Sequence, residues 1–178
     1  WPHMGFVLVV DDVEGNARLL ASLLAADHHQ VRTAENGAAA LRMVAAEAPD
    51  LVLMDVMMPH LDGFEACRQI KQQPSTRLTP VVLVTALNDA ASRLRGIEAG
   101  ADDFLSKPVN KHELLARVRS LLRIKRYTDD LESAESLFLT LGRVIEARDA
   151  YTEGHCERLA DFATALGQRL ELEQADID

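Results

Sequence analysis

Apolar residues fall along this chain in two alternating rhythms. Short runs of β-branched and aliphatic residues at 6–10, 31–33, 51–54, 81–84 and 103–105 read as strands. Between them, apolar positions recur at spacings of three and four. Over 13–26, Ala17, Leu20, Leu23 and Leu24 share one helical face; over 38–47, Leu41, Val44 and Ala45 do the same. Segments 64–72, 90–99 and the chain from Lys111 onward continue the pattern. The turn signals agree: Gly37 opens the second helical segment, Asp62-Gly63 precedes the third, and Gly100 stands where a helix C-terminal glycine belongs. Five strand–helix units in succession predict an α/β fold, a parallel sheet with helices on both faces. Right-handed crossovers make the strand order 2-1-3-4-5 the expected one.

After Pro108 no further strand pattern occurs. From 111 to about 148 the chain reads as one long helix, free of proline and with the single glycine Gly142. Within it Ile124, Tyr127, Leu131, Ala134, Phe138, Leu141 and Ile145 repeat at alternating spacings of three and four, an a/d seam. The seam runs past the length needed to cover a small sheet, so a homodimer through a coiled coil or helical bundle is expected. A second helical segment covers 156–170. The expected organisation is an expression-tag remnant at 1–4, the sheet domain at 5–123, a coiled-coil-like linker at 124–148, and at 149–178 the truncated start of an output domain.

Composition narrows the function. Of 178 residues, 48% are hydrophobic but only 4% aromatic, so the core must be aliphatic. A net charge of −9 leaves no basic stripe to neutralise nucleic-acid phosphates. The most basic stretch, 117–126, reads as a solvated helix face. Cys67 and Cys156 fit no metal or redox motif and read as reduced thiols. No apolar run is long enough to cross a membrane, and the run at 6–10 is too short for a secretory signal and ends in two aspartates. A cytoplasmic location is expected.

In open α/β sheets, ligands bind outside the carboxyl ends of the strands. At those ends stand Asp11 and Asp12 after the first strand, Asp55 at the third, Thr85 at the fourth and Lys107-Pro108 after the fifth. Asp12 is also placed to cap the helix that begins near Glu14. The strand order brings three carboxylates, a hydroxyl and an ammonium into one crevice. Clustered carboxylates repel unless a cation is present. A hard divalent ion with oxygen ligands suits them, Mg²⁺ first, with Mn²⁺ able to substitute. A flavodoxin-like cofactor-binding site is disfavoured, because Asp11-Asp12-Val-Glu-Gly puts acid where a phosphate-binding loop needs backbone amides.

Together, Asp11-Asp12, the run from Leu51 through Asp55 to Pro59, Leu61-Asp62-Gly63, Thr85-Ala86, and Gly100 through Lys107-Pro108 resemble the signature of response-regulator receiver domains, over about 5–123. The resemblance implies a CheY-like, flavodoxin-like five-stranded fold that accepts a phosphoryl group on Asp55 from a histidine kinase or phosphotransfer protein. It implies that Asp12, Asp55 and the Met57 backbone carbonyl hold Mg²⁺, with Asp11 acting largely through a bound water. Thr85 and Lys107 would bond phosphoryl oxygens, Phe104 would move with Thr85 as the switch, and the bond before Pro108 would be cis. Phe104 stands where many relatives have tyrosine, which removes a hydroxyl from the switch.

The stretch from Val144 to Ala160 is similar to the opening of HD-GYP domains, metal-dependent phosphodiesterases of cyclic di-GMP. His155 matches a histidine at that family's catalytic pocket. Neither the His-Asp pair nor the Gly-Tyr-Pro motif follows within the chain, and Tyr151 stands where relatives with an extra metal have glutamate. The expectation is a phosphorylation-controlled switch that is not itself an enzyme on outside substrates; the competing reading assigns the activity of a full-length phosphodiesterase.

Overall fold

The computed structural model describes residues 4–86, 90–148 and 155–169; the side chains of 145–148, 155–157, 159–160 and 167–168 lie outside that description. The chain divides into two units, at residues 1–128 and 129–178.

The first unit is a five-stranded parallel sheet in the order β2-β1-β3-β4-β5. Its strands are β1 (Phe6–Val10), β2 (Gln30–Ala34), β3 (Leu51–Asp55), β4 (Val81–Thr85) and β5 (Asp103–Ser106). They alternate with α1 (Glu14–Ala26), α2 (Gly37–Ala46), α3 (Gly63–Gln72), α4 (Ala90–Glu98) and α5 (Lys111–Arg148). Residues of β3 and β4 are buried throughout, as a strand covered on both faces requires. β2, at an edge, is mostly exposed.

Side chains alternate across the sheet and build two aliphatic cores. Leu8, Val10, Val52, Met54 and Leu83 face Ala40 and Val44 of α2 and Phe64, Cys67 and Ile70 of α3. Val7, Val9, Leu51, Leu53, Val82, Val84 and Leu105 face Ala17, Leu20 and Leu24 of α1 and Leu114, Val118 and Leu122 of α5. Cys67 is part of the first core, and burial pushes its thiol up to about 12, so it is inert at neutral pH.

Local chemistry explains the element ends. The Asn36 and Asp62 side chains cap α2 and α3 by accepting from the Ala39 and Glu65 amides, at 2.8 Å each. Gly100, at φ +85°, closes α4 in the left-handed region. The strands run past the apolar pattern: β2 gains a residue at each end, and β5 gains one at its carboxyl end. β3 and β4 each run one residue further, because Asp55 pairs with Val84 and Thr85 with Ser106. Asp12 does not cap α1: its N-cap is Val13, without a side-chain cap, and the Val13 amide donates to Asp11 Oδ1 at 2.9 Å.

In the second unit, the remainder of α5 is followed by α6 (His155–Arg169). Leu131 and Phe138 are each 72% exposed, and Leu137, Leu139, Leu141 and Val144 are exposed too. Of the seam, Ile124 and Tyr127 lie exposed on the first unit's part of α5, while the Ile145 side chain falls outside the described residues. Tyr151 lies outside them as well. No helix among the described residues is long and apolar enough to cross a membrane.

At the base of the sheet, Asp27 at the end of α1 takes the guanidinium of Arg119 on α5, with Nε at 2.9 Å. That hydrogen bond holds Asp27 below the usual carboxylate range. His29 is buried beside it, with Nε2 3.4 Å from Asp27 Oδ2 but neither ring nitrogen in a hydrogen bond. Burial outweighs the attraction of Asp27 and lowers the His29 pKa. Folded His29 therefore resists a proton that the unfolded chain accepts near pH 6.5. Stability should fall as the pH drops below that value. Denaturant titrations from pH 7.5 to 5 should show this slope, and His29→Leu should flatten it; an equal slope in the variant would assign the acid sensitivity elsewhere.

Candidate functional site

The parallel sheet places the carboxyl ends of β1, β3, β4 and β5 side by side. Asp11, Asp55 and Thr85 are buried there, at 2%, 5% and 6% exposure, while Asp12 is exposed. One carboxylate oxygen from each of Asp11, Asp12 and Asp55 lies within 4.8 Å of the others.

A single cation organises the two buried acids. Lys107 Nζ, from the loop after β5, lies 2.9 Å from Asp11 Oδ2 and 2.8 Å from Asp55 Oδ2. Partial burial works against its charge, but the hydrogen bonds to Asp55 and Asp11 outweigh that cost and raise its pKa. Lys107 therefore stays an ammonium throughout the physiological range. The loop that carries it turns through a cis Lys107–Pro108 bond, and the Lys107 amide donates to the Thr85 carbonyl at 2.9 Å.

The remaining oxygens of Asp11 and Asp55 are held differently. Asp11 Oδ1 accepts from the Val13 amide and, at 3.2 Å, from Asn16 Nδ2. Both Asp11 oxygens thus have protein donors in this arrangement. Asp55 Oδ1 accepts a long bond, 3.3 Å, from the Met57 amide. Below Asp55, α3 begins on Gly63 because no side chain fits: a Cβ there would collide with the Asp55 carbonyl oxygen. Asn16 is the contributor that motif reading passed over, while Gly63 belongs to the turn signal ahead of α3. Asn16 had a faint signal, a polar residue one position before the buried Ala17 at the start of an apolar helix.

A family comparison agrees with this geometry. The response regulator receiver domain model matches residues 7–119. The chain belongs to the response-regulator receiver family. It is 48% identical over 141 residues to the response regulator PleD of Caulobacter vibrioides, covering 79% of this chain and 31% of PleD. It is 42% identical over 134 residues to the response regulator MprA of Mycobacterium ulcerans, covering 75% of this chain and 56% of MprA. The chain thus spans between about a third and just over half of these relatives. Among solved structures it is similar to the signal receiver domain of a signal transduction histidine kinase from Syntrophus aciditrophicus, with TM-score 0.64, 39% identity, and coverage of 67% of this chain and 90% of that one. CheY4 of Vibrio cholerae superposes with TM-score 0.63 at 29% identity, covering 66% of this receiver chain and 98% of CheY4.

As a receiver, the chain carries an aspartate cluster suited to phosphoryl acceptance and able to coordinate a divalent cation such as Mg²⁺. Family membership identifies residues 7–119 as a receiver domain. The donor set fits a hard ion, since three carboxylates each place an oxygen within 4.8 Å of the others. Mg²⁺ should therefore stabilise the fold by mass action, about 1.4 kcal/mol at tenfold excess over its dissociation constant. Thermal melts with and without millimolar Mg²⁺ check this: the melting temperature should rise, and Asp12→Ala should remove most of the rise. An equal rise in Asp12→Ala would exclude Asp12 from the ion's coordination.

Proposed function

We propose that this receiver is phosphorylated on Asp55 by a histidine kinase or phosphotransfer protein, and that its helical extension carries the signal to an output domain. The observation that carries this reading is the shared ammonium: Lys107 bridges Asp11 and Asp55 at the carboxyl edge of the sheet. Phosphoryl transfer needs an in-line oxygen and cations that absorb charge on the equatorial oxygens. Asp55 supplies the oxygen. Its Oδ attacks phosphorus, the bond from phosphorus to the donor breaks, and the leaving nitrogen or oxygen takes the electron pair. Lys107, already hydrogen-bonded to Asp55, is close enough to pair with an oxygen of the incoming group.

Asp12, Asp55 and the Met57 carbonyl would hold Mg²⁺, which when bound offsets charge on the phosphoryl oxygens; Asp11, with both oxygens occupied by protein donors, would act through a water. Thr85, at the last position of β4, would donate its hydroxyl to another phosphoryl oxygen. Its movement toward the phosphate would open space for Phe104. Lacking a hydroxyl, Phe104 would respond by packing alone.

Residues 5–123 form the sensor in this reading and 124–148 the transmitter. The exposed stripe of Ile124, Tyr127, Leu131, Ala134, Phe138 and Leu141, continued by Ile145, supports a homodimer, since each large side chain left in water forfeits on the order of 1.5–3 kcal/mol. The likeness of the segment around His155 to HD-GYP openings supports a cyclic di-GMP phosphodiesterase as the output of a longer parent protein.

Acetyl phosphate with Mg²⁺ should add one phosphoryl group by intact mass, and Asp55→Asn should abolish the gain. Labelling of Asp55→Asn at the parent rate would refute the assignment. Sedimentation tests the linker: a Leu131→Asp, Phe138→Asp double variant should lose the parent's dimer, whereas an unchanged mass would place the interface elsewhere.

A further inference from the structure

Gly96 is buried near the end of α4, although glycine weakens a helix interior relative to alanine. Its value lies in the absent side chain. A Cβ there would sit 2.5 Å from Cε1 and 2.6 Å from Cζ of Phe104, and 3.0 Å from Leu83 Cδ1. These are the far atoms of the ring, so the ring edge rests in the gap that the glycine leaves. Leu83 and Phe104 are paired across β4 and β5, two residues before Thr85 and Ser106 in the same ladder. The preceding residue, Arg95, is tied in another direction. Its guanidinium lies 4.5 Å from the Phe64 ring centroid and 3.2 Å from Asp62 Oδ2. Asp62 caps α3 at the end of the loop that follows Asp55. Two consecutive residues of α4 therefore contact the two parts of the receiver nearest its chemistry, the β3–α3 loop and the β5 aromatic.

We propose that Gly96 is a positioning residue, the seat in which the Phe104 ring rests, and that leaving the seat is the step by which the ring couples the phosphorylation pocket to α4. This rests on the reading of Phe104 as the mobile aromatic. A methyl at position 96 blocks the seat, disfavours the seated ring and shifts the population toward the arrangement that phosphorylation selects. An off-rotamer or displaced ring costs enough to change such an equilibrium roughly two- to tenfold.

The test is a double-mutant cycle on the full chain, with Gly96→Ala, Phe104→Ala and the pair. Beryllofluoride with Mg²⁺ serves as the phosphoryl mimic, and thermal melts run in parallel. Gly96→Ala alone should bind beryllofluoride roughly two- to tenfold more tightly, without the rise in melting temperature that alanine ordinarily brings to a helix. In the Phe104→Ala background the same substitution should leave the affinity unchanged and raise the melting temperature, because no ring competes for the space. Unchanged or weaker binding by Gly96→Ala overturns the proposal, as does an effect that persists without the Phe104 ring. Should the parent chain take neither acetyl phosphate nor beryllofluoride, the underlying reading of Asp55 fails together with it. If the parent takes both and Gly96→Ala behaves identically, only the role of Gly96 fails.

Discussion

Two buried carboxylates at one edge of a sheet repel each other, and the Lys107 ammonium is what makes their burial affordable. It reaches Asp11 and Asp55 at once, from a loop that follows a different strand from either. That contact is possible only because the parallel order sets β1, β3, β4 and β5 side by side. Most of the fold serves this convergence. Aliphatic cores on both faces hold the strands level, helix caps at Asn36 and Asp62 set where α2 and α3 begin, and Gly63 lets α3 start against the backbone of Asp55.

Much of this was legible in the residues because the relevant signals are local. Continuous β-branched runs mark strands buried on both faces, and acid, hydroxyl and ammonium groups immediately after such runs must gather at their carboxyl ends. Asp55 and Thr85 close their strands one residue beyond the apolar run, since strand pairing extends through polar residues when the neighbouring backbone is in register. The features that sequence reading missed depend on contacts between distant segments. Asn16 matters through Asp11, Arg119 through Asp27, and Gly96 through Phe104. Asp12 illustrates a choice between two local roles. Asp11, and not Asp12, takes the amide of the N-cap residue Val13, and the Asp12 carboxylate is exposed at the crevice.

The last helix of the receiver changes character along its length. Leu114, Val118 and Leu122 are buried in the sheet's second core, whereas Ile124, Tyr127, Leu131 and Phe138 are exposed. A helix that serves as core in its first turns and carries an exposed apolar stripe afterwards suits the transmitter role we propose for it. On the receiver's other side, α4 has few buried residues of its own, and Gly96 is buried against Phe104. So little packing area makes α4 suited to the proposed coupling with Phe104.

Among the three clustered carboxylates, Asp55 is the one proposed to take the phosphoryl group. Borohydride reduction of the phosphorylated chain, followed by peptide mapping, tests it directly, because hydride converts an acyl phosphate to the alcohol and releases phosphate. Homoserine should be found at position 55, with Asp11 and Asp12 unmodified. Homoserine at either of those positions, or a labelled chain with position 55 intact, would contradict it.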